Sequence, residues 1–171
     1  RKTGHEPKIY PNFAEKKFNV PNNDLKEFKK SLDKLEGEEK KDFLKGAEIA
    51  YESILTSFAN GESKKLKSLL TSQMADNFNE AIEARNKQNI KSEFTFIGIK
   101  ESSVEKYEKI KNDLFTSVKF VSEVISVKKN NEDQIIEGNP DKIKQVTDYW
   151  KFTRNVLNKS PNWYLSEIVS K

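Results

Sequence analysis

The sequence predicts an α+β domain: helices first, then an antiparallel sheet of about four strands, with the helices packed on one face of a curved sheet. Three observations lead there. Apolar residues recur every three or four positions up to about residue 89, and from residue 94 they alternate or cluster with β-branched neighbours. That change of period happens once, so helices and strands are segregated along the chain. The later connections, such as Asn130-Asn131-Glu132-Asp133 and Gly138-Asn139-Pro140-Asp141, are turn-formers short enough to join neighbouring antiparallel strands.

Residues 1–23 carry Pro7, Pro11 and Pro21 and close on Asn22-Asn23, which reads as a flexible basic linker. Leu25, Phe28, Leu32 and Leu35 then fall at spacings of three, four and three. They define an amphipathic helix over residues 24–38, capped by Asn23 or Asp24 and stopped at Gly37. A stronger helix runs from about Glu39 to Asn60 on a stripe of Phe43, Ala47, Ala50, Tyr51, Ile54 and Phe58, and Gly61 ends it. A brief helix follows from Ser63 with Leu66, Leu69 and Leu70. Thr71 or Ser72 caps another, carrying Met74, Phe78, Ala81, Ile82 and Arg85 and ending near Asn89.

Phe94-Thr95-Phe96-Ile97-Gly98-Ile99 begins the first strand. Leu114 to Val127 is a long strand, with Val118, Phe120 and Val124 on one face and Phe115, Val121, Ile125 and Val127 on the other. Ile135-Ile136 is short and strand-like. Two final strands span about 143–156 and 162–169, and both tryptophans lie on them. In the first, alternation places Asp148, Trp150, Phe152 and Arg154 on one face. Pro161 and its neighbours turn the chain so that Trp163 opens the second. Trp150 and Phe152 are expected to be buried together toward the helices. Asp148 and Arg154 stand about 20 Å apart at the ends of this face, too far to pair. Glu123 is the candidate partner for Arg154.

A chain of 171 residues, 35% hydrophobic and 34% charged, can bury a core without cross-links. It has no cysteine, which removes disulfides, thiolate metal sites and cysteine nucleophiles. His5 is the one histidine and lies in the linker, which disfavours Ser-His-Asp triads and histidine metal sites. The glycines are isolated, so no phosphate cradle is evident, and the turn at Asp133 lacks the spacing of a calcium loop. No enzyme activity and no cofactor are expected. The net charge is +4, and most of the excess sits in residues 1–20, where Arg1, Lys2, Lys8, Lys16 and Lys17 face Glu6 and Glu15. Arg1, Arg85 and Arg154 are the only arginines, which argues against nucleic-acid binding. No apolar run is long enough to span a bilayer. The chain starts at Arg1, which reads as a piece of a longer protein whose anchor lies upstream.

Several segments together resemble a known family. They are Phe43-Leu44-Lys45-Gly46-Ala47, Ala50-Tyr51 with Ile54, Phe58-Ala59-Asn60-Gly61, Leu66 with Leu69 and Leu70, and Phe78 with Ile82 and Arg85. After them come Phe94 to Gly98, Val118 to Glu123, Gly138-Asn139-Pro140, Thr147 to Arg154 and Pro161-Asn162-Trp163-Tyr164-Leu165. In this order, over residues 41–169, they are similar to the C-terminal domain of the 44 kDa subunit of the mitochondrial inner-membrane translocase, and more closely to its bacterial relatives. The resemblance implies a Tim-type domain over residues 39–171 with a strongly bent sheet, cone-shaped like nuclear transport factor two.

It also implies a non-enzymatic, membrane-peripheral adaptor or scaffold of an inner-membrane assembly linked to protein translocation. The expected partners are anionic lipid such as cardiolipin and a membrane protein complex, a translocase or an Hsp70-type chaperone, with the cytoplasmic face favoured. The long chaperone-binding region of the mitochondrial protein has no counterpart here, so membrane-proximal binding is the better-supported part. The candidate membrane or partner contacts are Leu25, Phe28, Leu32 and Leu35 with Lys26, Lys29 and Lys30. The alternative is a cone that binds a small molecule or lipid, or an isomerase-like enzyme, with Tyr51, Trp150, Phe152, Arg154 and Trp163 lining its interior.

Overall fold

The computed structural model describes residues 34–169. Among the described residues, three helices, α1 (Gly37–Asn60), α2 (Ser63–Lys67) and α3 (Ser72–Lys87), precede five strands. The strands are β1 (Lys91–Ile110), β2 (Asp113–Lys129), β3 (Ile135–Gly138), β4 (Lys144–Asn155) and β5 (Tyr164–Val169). The fold is the expected α+β, with helices ahead of a curled antiparallel sheet.

The stripe of α1 is buried from Phe43 to Phe58, with Gly46, Ala47 and Ala50 letting its backbone approach the sheet. Gly61 ends the helix in the left-handed conformation, its N–H returning to the carbonyls of Ser57 and Phe58. Thr71 caps α3, its hydroxyl accepting from the Met74 N–H. Arg85 of α3 donates to the Phe58 carbonyl at 2.8 Å and lies over the Phe58 ring. It thereby places a cation at the C-terminal end of α1, where the helix dipole is negative.

The sheet order is β1-β2-β4-β5, with β3 pairing beyond β4 on the same side of β2. Its concave face carries Leu114, Val118 and Phe120 of β2, Trp150 and Phe152 of β4 and Leu165 of β5, all fully buried. The outer edge of β5 is held by Leu70, through bonds from Leu165 N–H to Leu69 and from Thr71 N–H to Leu165.

Two elements differ from the sequence expectation. β1 is far longer than the Phe94–Ile99 segment and runs on through Glu101-Ser102-Ser103-Val104-Glu105-Lys106-Tyr107. Three register shifts against β2 break its alternation, one of them between Val104 and Lys106. Val104 and Tyr107, three apart, therefore both pack on the core, which a strict period of two cannot anticipate. At the other end of the domain, residues 34–36 are irregular, while Gly37 and Glu38 open α1. The amphipathic helix proposed over 24–38 thus cannot extend through that limit. Gly37 has φ +64, a backbone reversal that separates Leu35 from α1.

Candidate functional site

The candidate interior residues meet where α1 crosses the concave face. Phe43 stands edge-on to Phe152 at 6.1 Å and to Trp163 at 5.0 Å. Two turns further along α1, Tyr51 stacks on Phe120 at 4.2 Å and lies 4.8 Å from Trp150. The rings of Phe120, Trp150 and Phe152 also contact one another. Tyr51, Trp150, Phe152 and Trp163 thus meet as one aromatic cluster: the stripe on α1 places Tyr51, the alternation along β4 places Trp150 and Phe152, and Trp163 enters from the residue just before β5 and does not open that strand. Trp150 and Phe152 point together toward the helix, as expected. The cluster fills the hollow of the curled sheet with the chain's own side chains.

Among the described residues, a buried polar cluster joins α1 to the sheet across this interior. The Tyr51 hydroxyl donates to Asp148 Oδ2 at 2.6 Å and shares a 2.8 Å hydrogen bond with the Ser122 hydroxyl. Asp148 is 2% exposed, and Tyr51 and Ser122 are fully buried. Burial raises the Tyr51 phenol well above its ordinary pKa, while the bond to Ser122 opposes that shift. A phenol so raised is no acid or nucleophile at neutral pH. As a donor, it satisfies a buried carboxylate and ties the helix to the middle of the sheet. Ser122 was not anticipated. The available signal was a small polar residue two positions beyond Phe120, on the inward face of β2.

Arg154 sits apart from the cluster. It faces Leu114 across the β2–β4 ladder, at the end of the concave surface nearest the start of α1. Desolvation lowers its pKa and the neighbouring Tyr107 opposes that effect. The proposed partnership with Glu123 is overturned. Glu123 faces Gln145 in the same ladder, nine pairs from Leu114, and projects from the opposite face. The bulged first strand supplied the neighbour instead, since Tyr107 pairs with Thr116 beside Leu114.

Of the proposed membrane or partner stripe, Leu35 is described. It is half-buried and packs on the edge of the core. Leu25, Lys26, Phe28, Lys29, Lys30 and Leu32 lie outside the described residues. Among the described residues, no three His, Cys, Asp or Glu side chains converge as a metal site, and no helix is long and apolar enough to cross a membrane.

No curated protein matches this chain. Among solved structures, the intermembrane space region of the chloroplast protein ARC6 is similar with a TM-score of 0.43 and 11% identity, over 64% of this chain and 78% of that one. The pattern that defines the Tim44-like domain matches residues 36–170, from the turn before α1 through β5. The helices, the curled sheet and its aromatic filling therefore form one unit, and the chain belongs to the Tim44-like domain family, a family of membrane-associated domains linked to protein transport.

Proposed function

We propose that this chain is a non-enzymatic, membrane-peripheral adaptor or scaffold of an inner-membrane assembly that serves protein translocation. Membership of the Tim44-like family carries this reading. The packing of the interior supports it, because Phe43, Tyr51, Phe120, Trp150 and Phe152 occupy the space in which a cone-shaped domain would hold a substrate. That packing weighs against the small-molecule or isomerase-like alternative. In this reading the basic linker and the stripe of Leu25, Phe28, Leu32 and Leu35 with Lys26, Lys29 and Lys30 meet anionic lipid or a membrane protein complex, on the cytoplasmic face. A translocase or an Hsp70-type chaperone is the class of protein partner.

Co-sedimentation with vesicles tests the lipid part. The chain should bind cardiolipin-containing vesicles in preference to neutral phosphatidylcholine, and the preference should weaken as salt rises, since exposed charges are screened within about 8 Å at physiological ionic strength. Equal, negligible binding to both at low salt would refute it. Affinity purification of the protein from membranes, with identification of what co-purifies, tests the scaffold part.

A further inference from the structure

We infer that two neighbouring loops, the Lys111-Asn112 turn between β1 and β2 and the loop that follows β4, form a tip that enters an anionic lipid surface. The inference rests on the membrane-peripheral reading above and names the part of the folded domain that makes the contact.

The two loops are tied to each other. The Val156 N–H donates to the Asn112 carbonyl at 2.8 Å, and the Asn155 amide donates to Asp113 Oδ1 at 2.9 Å. The same Asn155 side chain accepts from the Leu157 N–H at 2.8 Å, which fixes the start of its loop. On this frame stand two outward aliphatic side chains. Ile110, the last residue of β1, is 53% exposed, and Leu157, at 68%, is the most exposed large apolar side chain among the described residues.

A lone exposed isoleucine or leucine says little, so the surrounding charge decides which surface suits it. Segments 109–112 and 155–160 contain three lysines and no carboxylate, and Lys111 and Lys159 are exposed beside the two aliphatics. The acids that adjoin the turn are engaged, Asp113 by Asn155 and Glu108 by Lys106 at 3.4 Å. Lys111 also has φ +57 at the first position of a two-residue turn, where glycine is favoured, so local backbone preference does not account for a lysine there. The opposite end of the sheet supplies the contrast. Ile135, Ile136 and Ile143 are exposed there, but residues 128–144 match four lysines with four carboxylates, and Lys128 pairs with Glu137. An anionic surface therefore attracts the first end and not the second. Short aliphatic side chains can enter the headgroup layer while the lysines beside them stay at the level of the phosphates.

The course of α1 agrees with this orientation. Phe43 lies against Phe152 and Trp163, near the tip, whereas Tyr51 lies against Trp150 and Phe96, farther from it. The chain thus enters the domain on the side of the tip, and the upstream residues assigned above to lipid contact are joined to it on that side.

The absence of cysteine makes single-site labelling direct. Ile110→Cys, Leu157→Cys and, as remote controls, Ile136→Cys and Ile143→Cys each carry a polarity-sensitive fluorophore; all four sites are exposed, so labelling leaves the core untouched. On cardiolipin-containing vesicles, the labels at 110 and 157 should shift to the blue and become shielded from a water-soluble quencher, and those at 136 and 143 should not. Each lysine near such a surface contributes about fivefold to binding, so Lys111→Gln combined with Lys159→Gln should weaken vesicle binding about 25-fold. Lys142→Gln combined with Lys144→Gln should leave it unchanged. Vesicle binding with the labels at 110 and 157 still open to the quencher, equal shielding at all four sites, or equal losses for the two lysine pairs would overturn the tip contact and leave the membrane reading standing. Shielding of 110 and 157 that appears without vesicles and grows with protein concentration would assign the tip to a second copy and overturn the inference. If the unmodified chain fails to sediment with anionic vesicles at low salt, the membrane reading itself is refuted and the tip contact with it.

Discussion

Replacing Tyr51 by phenylalanine isolates a buried polar tie between α1 and the middle of the sheet. The substitution keeps the ring that stacks on Phe120 and Trp150 and removes only the hydroxyl that serves Asp148 and Ser122. A hydrogen bond to a charged group contributes about 1.5–3 kcal/mol net, and one between neutral groups about 0.5–1.5 kcal/mol. Asp148 has further interactions to lean on, so the expected loss is about 2–4 kcal/mol, short of the sum of the extremes. With a urea slope of about 2 kcal/mol per molar for a domain of this size, the unfolding midpoint should fall by roughly 1–2 M. Tryptophan fluorescence is the natural probe, because Trp150 lies 4.8 Å from the altered ring. Asp148→Asn and the double variant complete a cycle, in which a coupling of about 1–3 kcal/mol is expected. A midpoint unchanged within error, or strictly additive effects, would show that the pair holds nothing together.

Three further outcomes follow from the same geometry. Because burial raises the Tyr51 phenol above its ordinary pKa, the unfolded chain loses that proton first; the stabilisation is complete below about pH 10 and declines as pH rises beyond it, so the wild-type advantage over Tyr51→Phe should shrink in alkaline urea titrations by up to about 1.4 kcal/mol per pH unit. Trp150→Ala, which empties the centre of the aromatic cluster, should cost about 3–5 kcal/mol by thermal or urea unfolding, and an unchanged melting temperature would remove Trp150 from the core. Gly138 has φ +88, and a Cβ there would lie 2.0 Å from the Ser126 carbonyl oxygen; Gly138→Ala should release β3 and speed amide exchange at Val127 to Lys129 while the α1 interface stays protected.

How far the sequence carried the reading differs between elements for physical reasons. The stripes of α1 and α3, the stops at Gly61 and near Asn89, and the shared inward face of Trp150 and Phe152 were legible because each depends on a local period or a local cap. The order of helices before strands was enough for the fold class, and the ordered aromatic and glycine segments were enough for the family. What tertiary structure alone decided lies across the sheet. The length of β1 was hidden because its bulges shift the phase of its sparse apolar residues and its edge position tolerates charge, as at Glu105 and Lys106. The partner of Asp148 is Tyr51, ninety-seven residues away, and the neighbour of Arg154 is Tyr107 and not Glu123. Such pairs are set by strand register and by where a helix crosses a face. Register depends on which side chains across the ladder bury together, a property of two strands at once that no single stretch of residues contains.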